Sequence, residues 1–315
     1  MRALIFLDTN VLPRQGSIRN VLMSAVLKVA SHNDLRVCIS EVVLEESVNI
    51  RKSLVAEAIQ KLQEAFNQAS KLMELEPIYI PDLSEIASSW RDELEAAFEV
   101  IPLGGVQAVA ALKREAARRR PARDGKGARD SAIWLSALEV AVANGAPVHF
   151  VSDNRADFAD TANANLLHPD LLEDCKARGV EVIYHRNLDS LLDKLSSKSQ
   201  NTPSIGSVSA VKNMFLEALF ETGLPHRISE EFYGSAGFSL DAEVKDVKKI
   251  KSYQVDDAIL SLVDIDVEVD TESTGDGDVK EIPLLVGCRA WVQSSHSAGA
   301  ISSIDVEEVS SVTVR

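Results

Sequence analysis

Short apolar runs alternate with longer amphipathic runs over the first 195 residues of the chain. An apolar run bounded by polar or turn-forming residues is typical of a buried strand, whereas apolar residues at intervals of three and four are typical of a helix. Strands are predicted at residues 3–10, 35–40, 147–154 and 180–186. Helices are predicted at residues 17–33, 41–73, 84–101, 104–120, 130–145, 168–179 and 187–195.

Polar residues mark the starts of several of these helices. Ser17, Ser40 and Ser84 each precede or open an amphipathic run, where a serine side chain can accept a hydrogen bond from a free backbone N–H. Asp130 opens a later helix in the same manner. Each of these residues therefore has a purely structural explanation as a helix cap.

Strands that alternate with helices predict an α/β domain in which a mostly parallel sheet lies between two layers of helices. Ligands bind to such sheets beyond the carboxyl ends of the strands. Two of the predicted strands lead into acidic residues, Asp8 and Asp153. We therefore expect a functional site at this edge, in a domain that spans residues 1–195.

The pattern changes after residue 195. Residues 196–206 are rich in serine and contain Pro and Gly, which predicts a linker. Residues 208–223 predict one helix. Alternating apolar and polar residues then predict strands at residues 238–247, 258–272, 281–293 and 301–314. We predict a small α+β domain with an antiparallel sheet over residues 207–315.

The net charge of −15 is unevenly distributed. Residues 1–200 carry 24 Lys and Arg against 28 Asp and Glu, whereas residues 201–315 carry 9 against 20. An acidic protein repels nucleic acid at long range, so nucleic-acid binding requires a local basic patch. Such a patch lies between residues 113 and 129, with eight basic and two acidic residues.

The three cysteines are far apart and form no CxxC pair, which argues against a disulfide framework and a thiolate zinc site. The N-terminal apolar run is too short for a signal peptide, and no run approaches the length of a membrane span. We expect a cytoplasmic protein that does not associate with membranes.

Acidic residues occur at four places that the predicted fold brings to one edge of the sheet. They are Asp8, Glu45 with Glu46, Asp130, and Asp153 with Asp157. Carboxylates packed together repel one another, and a hard divalent cation such as Mg²⁺ or Mn²⁺ relieves this repulsion. His and Cys are absent from these segments, which disfavours zinc. Each acid taken alone is also compatible with a strand end, a solvated helix face or a cap.

Four segments carry a family resemblance. LIFLDTNVL, ISEVVLEES, GKGARDSAIW and FVSDNRADF follow one another in this order. They resemble the motifs of the PIN-domain superfamily, and more narrowly a PIN-like group formerly described as a domain of unknown function. The resemblance covers about residues 1–195 and does not extend to residues 201–315. It implies a three-layer α/β/α fold and a metal-dependent nuclease with Mg²⁺ or Mn²⁺ held by three or four acidic side chains.

The resemblance also implies roles for individual residues. Asp8 matches the first acid, and Asn10 matches the polar residue that orients this acid or a metal-bound water. Glu46 matches the second acid, with its neighbour Glu45 as the alternative. Asp130 matches the third acid.

The fourth acid is where this sequence departs from the family pattern. The position that is acidic in many relatives is Asn154 here, between Asp153 and Asp157. Either aspartate can take the role of the fourth acid. This departure affects the expectation of a second bound metal ion and not that of the first.

The leading hypothesis is an endoribonuclease that hydrolyses phosphodiester bonds of single-stranded RNA with a metal-activated water. Basic groups beside the site are predicted to hold the phosphates that flank the scissile one. These groups are Arg119, Arg120, Arg123, Lys126 and Arg129. Their structural alternative is a solvated helix end.

Two other functions are compatible with the sequence. One is a catalytically degenerate PIN-like module that binds RNA or a protein without cutting, which Asn154 favours. The other is a nuclease that acts on DNA. The sequence is also compatible with a homodimer and with a protein partner for the acidic C-terminal domain, where acids such as Asp264 and Asp266 alternate with apolar residues on a half-buried strand.

Overall fold

The computed structural model describes residues 3–14, 16–201, 203–224, 228, 238–273, 281–295 and 300–314. The chain divides into two compact units. The first unit comprises Met1–Ile18 and Ala30–Leu191, and the second comprises Arg19–Val29 and Leu192–Arg315. Residues 19–29 therefore group with the C-terminal residues, although they precede most of the first unit in the sequence.

A five-stranded parallel sheet forms the centre of the first unit. Its strands are β1 (Leu4–Leu7), β2 (Arg36–Ser40), β3 (Glu99–Ile101), β4 (Val148–Val151) and β5 (Val182–His185). They lie in the order β3-β2-β1-β4-β5, and every neighbouring pair is parallel. The chain proceeds outward from β1 first on one side and then on the other, so β1 and β4 flank the point where the strand order reverses. This is where α/β sheets bind their ligands.

Helices flank this sheet, which confirms the predicted three-layer α/β/α fold. The helices within the first unit are α2 (Glu41–Ala69), α3 (Leu83–Ala97), α4 (Gly105–Ala116), α5 (Ala128–Asn144), α6 (Arg155–Phe158) and α7 (Pro169–Arg178). Most of α1 (Val21–His32) and the second half of α8 (Leu188–Leu195) group with the second unit. Helix α5 is buried along most of its length and packs against β2 and β4. Its first turn is thereby held at the carboxyl edge of the sheet.

The helix starts differ in part from the prediction. Ser40 caps α2 as predicted, since its hydroxyl accepts a hydrogen bond from the backbone N–H of Val43. Ser17 does not cap α1. The side chain of Asn20 accepts the hydrogen bond from the N–H of Met23 instead. Asp82, and not Ser84, caps α3. In both cases where the predicted cap is wrong, an Asn or Asp directly before the helix accepts the hydrogen bond with its side chain.

The helix predicted at residues 84–101 ends four residues early. Phe98 is buried in an extended conformation, with φ −131° and ψ 150°. Val100 then pairs with Ile39 as part of β3. The helix predicted to reach residue 120 also ends early, at Ala116, and Arg118 adopts a positive φ of 51°.

The second unit has an antiparallel sheet, as predicted. Its strands are β6 (Ser197–Lys198), β7 (Phe238–Val255), β8 (Ala258–Ser273), β9 (Glu281–Ser295) and β10 (Ile301–Val314), in the order β10-β9-β8-β7-β6. The single helix predicted at residues 208–223 is two helices, α9 (Ile205–Ser209) and α10 (Lys212–Glu221). Strand β6 and the start of α9 lie within the stretch predicted to be a linker.

The acidic strand of the second unit alternates as the sequence predicts. Val263 and Ile265 of β8 are fully buried in the core of this unit, whereas Asp264 and Asp266 are half-buried on the opposite face. Asp264 pairs with Arg289 at 3.0 Å. None of the helices in the described ranges combines the length and the apolar character that a membrane crossing requires.

Candidate active site

Asp8 lies directly after β1 and is almost completely buried, with 3% of its surface exposed. Its backbone N–H donates to the carbonyl of Val151, which extends the pairing of β1 with β4 by one residue. Its Oδ1 accepts a hydrogen bond from the backbone N–H of Thr9 at 2.7 Å. The position of the carboxylate is thus determined by the sheet and not by a mobile loop.

Ser152 links the ends of β1 and β4 through Asp8. Its hydroxyl donates to Oδ2 of Asp8 at 2.5 Å and accepts from the backbone N–H of Asn154 at 3.1 Å. The side-chain amide of Asn10 donates to the same Asp8 oxygen at 3.0 Å. Asn10 also accepts from the backbone N–H of Asp153, so it holds the loop after β4 against Asp8.

Glu46 lies on the second turn of α2, with 20% of its side chain exposed. One carboxylate oxygen accepts a hydrogen bond from the hydroxyl of Thr9 at 2.8 Å. The other accepts a close hydrogen bond from the guanidinium of Arg129. Glu46 is therefore tied to the loop after β1 and to the first turn of α5.

Asp130 occupies the first turn of α5, but it does not cap the helix. The helix begins at Ala128 after Gly127, whose φ is +108°. A Cβ atom at Gly127 would lie 3.1 Å from Oδ2 of Asp130 and 3.3 Å from the Cα of Ala122. Glycine is required here both for its conformation and for the space that Asp130 occupies. Within the described residues, no hydrogen bond reaches the Asp130 carboxylate.

The electrostatics of the site show that these carboxylates influence one another. Burial raises the pKa of Asp130 to about 7, and the negative charges of Asp8, Asp157 and Glu46 each contribute to the rise, whereas Arg129 opposes it. Burial also raises the pKa of Asp8 to about 6, despite its hydrogen bonds, and the charge of Glu46 adds to the increase. Acids from four distant parts of the sequence thus share one electrostatic environment.

The two candidates for the fourth acid have different surroundings. Asp157 lies on α6, accepts a hydrogen bond from the side chain of Asn154 at 3.0 Å, and raises the pKa of Asp130 through its charge. Asp153 is exposed and forms an ion pair with Arg155 at 3.2 Å. Of these two aspartates, it is Asp157 whose charge acts on Asp130.

Glu45 stands apart from the site. Its side chain is 59% exposed and pairs with Arg91 of α3 at 2.7 Å. That hydrogen bond lowers the pKa of Glu45. Of the two adjacent glutamates, only Glu46 contacts other residues of the site.

The basic segment divides into two groups. Arg114 and Arg119 both bind the buried carboxylate of Asp174 at 2.6 Å. The buried guanidinium of Arg120 donates to the backbone carbonyl of Ala156 at 2.7 Å. Two of the predicted phosphate ligands, Arg119 and Arg120, are therefore engaged within the protein framework, which the sequence analysis did not expect.

The remaining basic residues of the segment are exposed. The side chain of Arg129 is 72% exposed and that of Arg123 is 42% exposed. Arg123 lies 3.8 Å from a carboxylate oxygen of Asp157. Lys126 lies on the surface between them. Arg123 and Arg129 therefore reach acids of the site, whereas for Lys126 the structure shows only that it is exposed.

The donor set of the site consists of oxygen atoms, which suits a hard divalent cation. Among the described residues, no three His, Cys, Asp or Glu side chains are arranged as a ready-made metal-binding group. The chemistry of the residues fits a cation that retains several of its own water molecules, as Mg²⁺ usually does.

Two residues that the sequence analysis did not assign to the site support it. Thr9 binds Glu46, and Ser152 binds Asp8. Each directly follows a strand or a strand-end acid, so both occupy the carboxyl edge of the sheet. That position was the available signal, but the hydroxyl groups themselves do not reveal a partner that is 37 or 144 residues away.

Comparison with known families gives a match in the N-terminal part of the chain. Residues 5–158 match the model of a family described as the PIN domain. The matched part extends from β1 to α6 and contains Asp8, Glu46, Asp130 and Asp157. The comparisons with curated proteins and with solved structures gave no match. Residues 5–158 of this chain are therefore similar to the PIN-domain family, whose members are generally metal-dependent nucleases.

Proposed function

We propose that this protein is a divalent-metal-dependent endoribonuclease that hydrolyses phosphodiester bonds of single-stranded RNA. One observation carries the proposal. The charge of Asp8 raises the pKa of Asp130, which lies 122 positions away in the sequence, at the carboxyl edge of a PIN-domain sheet, and the charges of Glu46 and Asp157 act on Asp130 as well. Such a concentration of negative charge is stable at neutral pH when a cation offsets it.

Asp8 and Asp130 are the residues that would hold Mg²⁺ or Mn²⁺, with Glu46 and Asp157 as outer ligands or as acceptors for its water molecules. A bound cation of this kind supplies a water of lowered pKa and positive charge beside the phosphate. The fit is chemical, since all four side chains offer hard oxygen donors.

The chain's own residues prepare the site. Ser152 and Asn10 both donate to Oδ2 of Asp8 and fix its orientation. Asp130 has no hydrogen bond among the described residues, and the absence of a side chain at Gly127 leaves room for its carboxylate. In the metal-free protein, Asp130 is therefore the acid that retains a proton closest to neutral pH.

The basic residues support nucleic acid as the substrate. Arg123 and Arg129 pair with the site acids Asp157 and Glu46, and Lys126 is exposed in the same segment, in a protein whose overall charge is negative. Guanidinium groups bind phosphates through two parallel hydrogen bonds. Contacts of this kind recognise the backbone and not the bases, so the proposal includes no sequence preference.

The experiment that tests the proposal is cleavage of an unstructured, end-labelled RNA by the full chain with Mg²⁺ or Mn²⁺. Cleavage is expected with either or both ions, and EDTA, Asp8→Asn or Asp130→Asn should reduce the rate by at least about a hundredfold. The matched control is Asp92→Asn, which removes an exposed carboxylate of α3. A wild type that leaves RNA intact with both ions would contradict the proposal. Cleavage of DNA alone would show that the substrate is DNA and not RNA.

The second candidate function is a PIN module that binds RNA without cutting. It is favoured by Asn154, which occupies a position where many relatives have an acid and which donates a hydrogen bond to Asp157. Binding of Mn²⁺ by the wild type and its loss in Asp130→Asn supports the enzyme. RNA binding by a wild type that fails to bind Mn²⁺ supports the module.

A further inference from the structure

The two outer carboxylates of the site are each paired with an arginine from one short segment. Arg129 binds Glu46, and Arg123 lies 3.8 Å from Asp157. Residues 123–129 thus place one guanidinium on each side of the site. The inner acids, Asp8 and Asp130, form no ion pair with Lys or Arg among the described residues.

Both oxygens of Glu46 are occupied by protein groups. Thr9 donates to one oxygen at 2.8 Å and Arg129 donates to the other. A carboxylate in this arrangement has little capacity left for a cation while Arg129 remains in place. The positive charge of Arg129 also opposes the increase in the pKa of Asp130.

The pairing of Arg129 with Glu46 is easily exchanged. Its side chain is 72% exposed, and ion pairs that face water are weak because solvent screens them. The segment also contains Gly125 and Gly127, both at positive φ, which bring its backbone close to the site. The guanidinium can therefore leave Glu46 without unfolding any helix.

We propose that Arg129 is an internal counterion that competes with a divalent cation for Glu46 and that contacts a phosphate of the bound RNA when it is released. Arg123 has a looser relation of the same kind to Asp157, since it lies 3.8 Å from this carboxylate and 3.6 Å from that of Asp124. This inference rests on the proposed nuclease function and adds regulation to it. The site exchanges its own positive charge for that of the cation, and the freed arginines become available to the substrate.

The test compares Mn²⁺ binding by the full chain and two charge-matched variants, with isothermal titration calorimetry. Arg129→Gln removes the counterion. Arg91→Gln removes an arginine that pairs with the neighbouring Glu45 and not with a site residue. We expect Arg129→Gln to bind Mn²⁺ about five- to tenfold more tightly than the wild type and Arg91→Gln to bind within about twofold of it. Arg123→Gln is a further, independent test variant. We expect it to bind Mn²⁺ about two- to fivefold more tightly than the wild type.

RNA binding gives a second measurement. With Ca²⁺ in place of Mn²⁺, fluorescence anisotropy should show weaker RNA binding by Arg129→Gln, and the slope of log affinity against log salt should fall by about one. Arg91→Gln should retain the wild-type slope.

The outcomes separate the inference from the function on which it rests. A wild type that binds no Mn²⁺ overturns both. A wild type that binds Mn²⁺, together with an Arg129→Gln variant of equal or weaker affinity, overturns the inference and leaves the nuclease proposal intact. An equal gain in Arg91→Gln overturns it as well, because the effect would then come from net charge and not from the contact with Glu46.

Discussion

The hydroxyl of Ser152 donates a hydrogen bond to Oδ2 of Asp8 at 2.5 Å and so joins the carboxyl ends of β4 and β1. The same hydroxyl accepts from the backbone N–H of Asn154, which starts the turn into α6. A single side chain thereby positions the acid at the end of one strand and the loop at the end of the next. This contact lowers the pKa of Asp8 against the effect of burial.

Ser152→Ala should therefore weaken the site without removing a carboxylate. We expect about a three- to tenfold loss of Mn²⁺ affinity at pH 7, because Asp8 retains its proton to higher pH, and a loss of stability of about 1–2 kcal/mol from the unpaired buried groups. Calorimetry and urea unfolding measure the two effects. Ser152→Thr, which keeps the hydroxyl, is the control, and wild-type affinity in Ser152→Ala would contradict the assigned role.

The pKa shifts predict how the stability of the metal-free protein depends on pH. Asp130, with a pKa of about 7, and Asp8, with a pKa of about 6, both bind protons more tightly in the folded state than in the unfolded chain, where the reference value is 3.8. The folded state therefore holds more protons between about pH 4 and pH 7. Their contribution to stability is complete below the unfolded pKa and is lost as the pH rises through the folded values.

Asp130→Asn should remove the loss of folding stability that ionisation of Asp130 causes at higher pH. In EDTA at pH 8, we expect the variant to be about 1–2 kcal/mol more stable than the wild type, and the difference should shrink as the pH falls through 7 and vanish at about pH 3.5, below the unfolded pKa of 3.8. Asp130 suits this test because no hydrogen bond to its carboxylate is lost among the described residues. Thermal unfolding at the two pH values measures the effect, and a variant that is equally destabilised at both would show that Asp130 is not electrostatically strained.

Asp157 and Asp153 should differ in their effect on metal binding. Asp157 acts on Asp130 through its charge, whereas Asp153 is exposed and paired with Arg155. We expect Asp157→Asn to reduce Mn²⁺ affinity by about tenfold more than Asp153→Asn does, as measured by calorimetry. A larger effect of Asp153→Asn would mean that the loop after β4 rearranges when the cation binds.

Substitution of Arg119 or Arg120 should lower the free energy of unfolding more than it weakens RNA binding. Asp174 holds Arg114, Arg119 and the indole N–H of Trp134, so removing this carboxylate leaves buried charge unpaired. Asp174→Ala should cost about 3–5 kcal/mol in unfolding free energy. Lys126→Ala should leave stability nearly unchanged and reduce the salt dependence of RNA binding. A stable Asp174→Ala variant would refute the framework role of this cluster.

The sequence predicted the parallel sheet and the position of Asp8 directly after its first strand because both depend on local patterns. The apolar runs that end at Asp8 and before Asp153 have a strong strand signal, and parallel strands end at the same edge. Strand β3 was missed because it has only three residues and follows α3 without a turn-forming residue. Only its pairing with β2 separates it from the helix.

The choice between neighbouring residues depended on three-dimensional contacts. Glu45 and Glu46 are adjacent residues of the same type. The structure distinguishes them because Arg91 of α3 binds Glu45 and not Glu46. In the same way, the basic residues differ in function because the buried Asp174, more than 50 positions away, engages Arg119 and leaves Arg123 for the site. No periodicity or local charge count carries this information.

Diffraction from crystals of the full chain grown with Mn²⁺, recorded for the anomalous signal of manganese, tests the central claim most directly. The account predicts a peak at the carboxyl edge of the sheet, within coordinating distance of an oxygen of Asp8 or Asp130 and absent in Asp130→Asn. A site that stays empty at saturating Mn²⁺, or a peak elsewhere that persists in the variant, would contradict it.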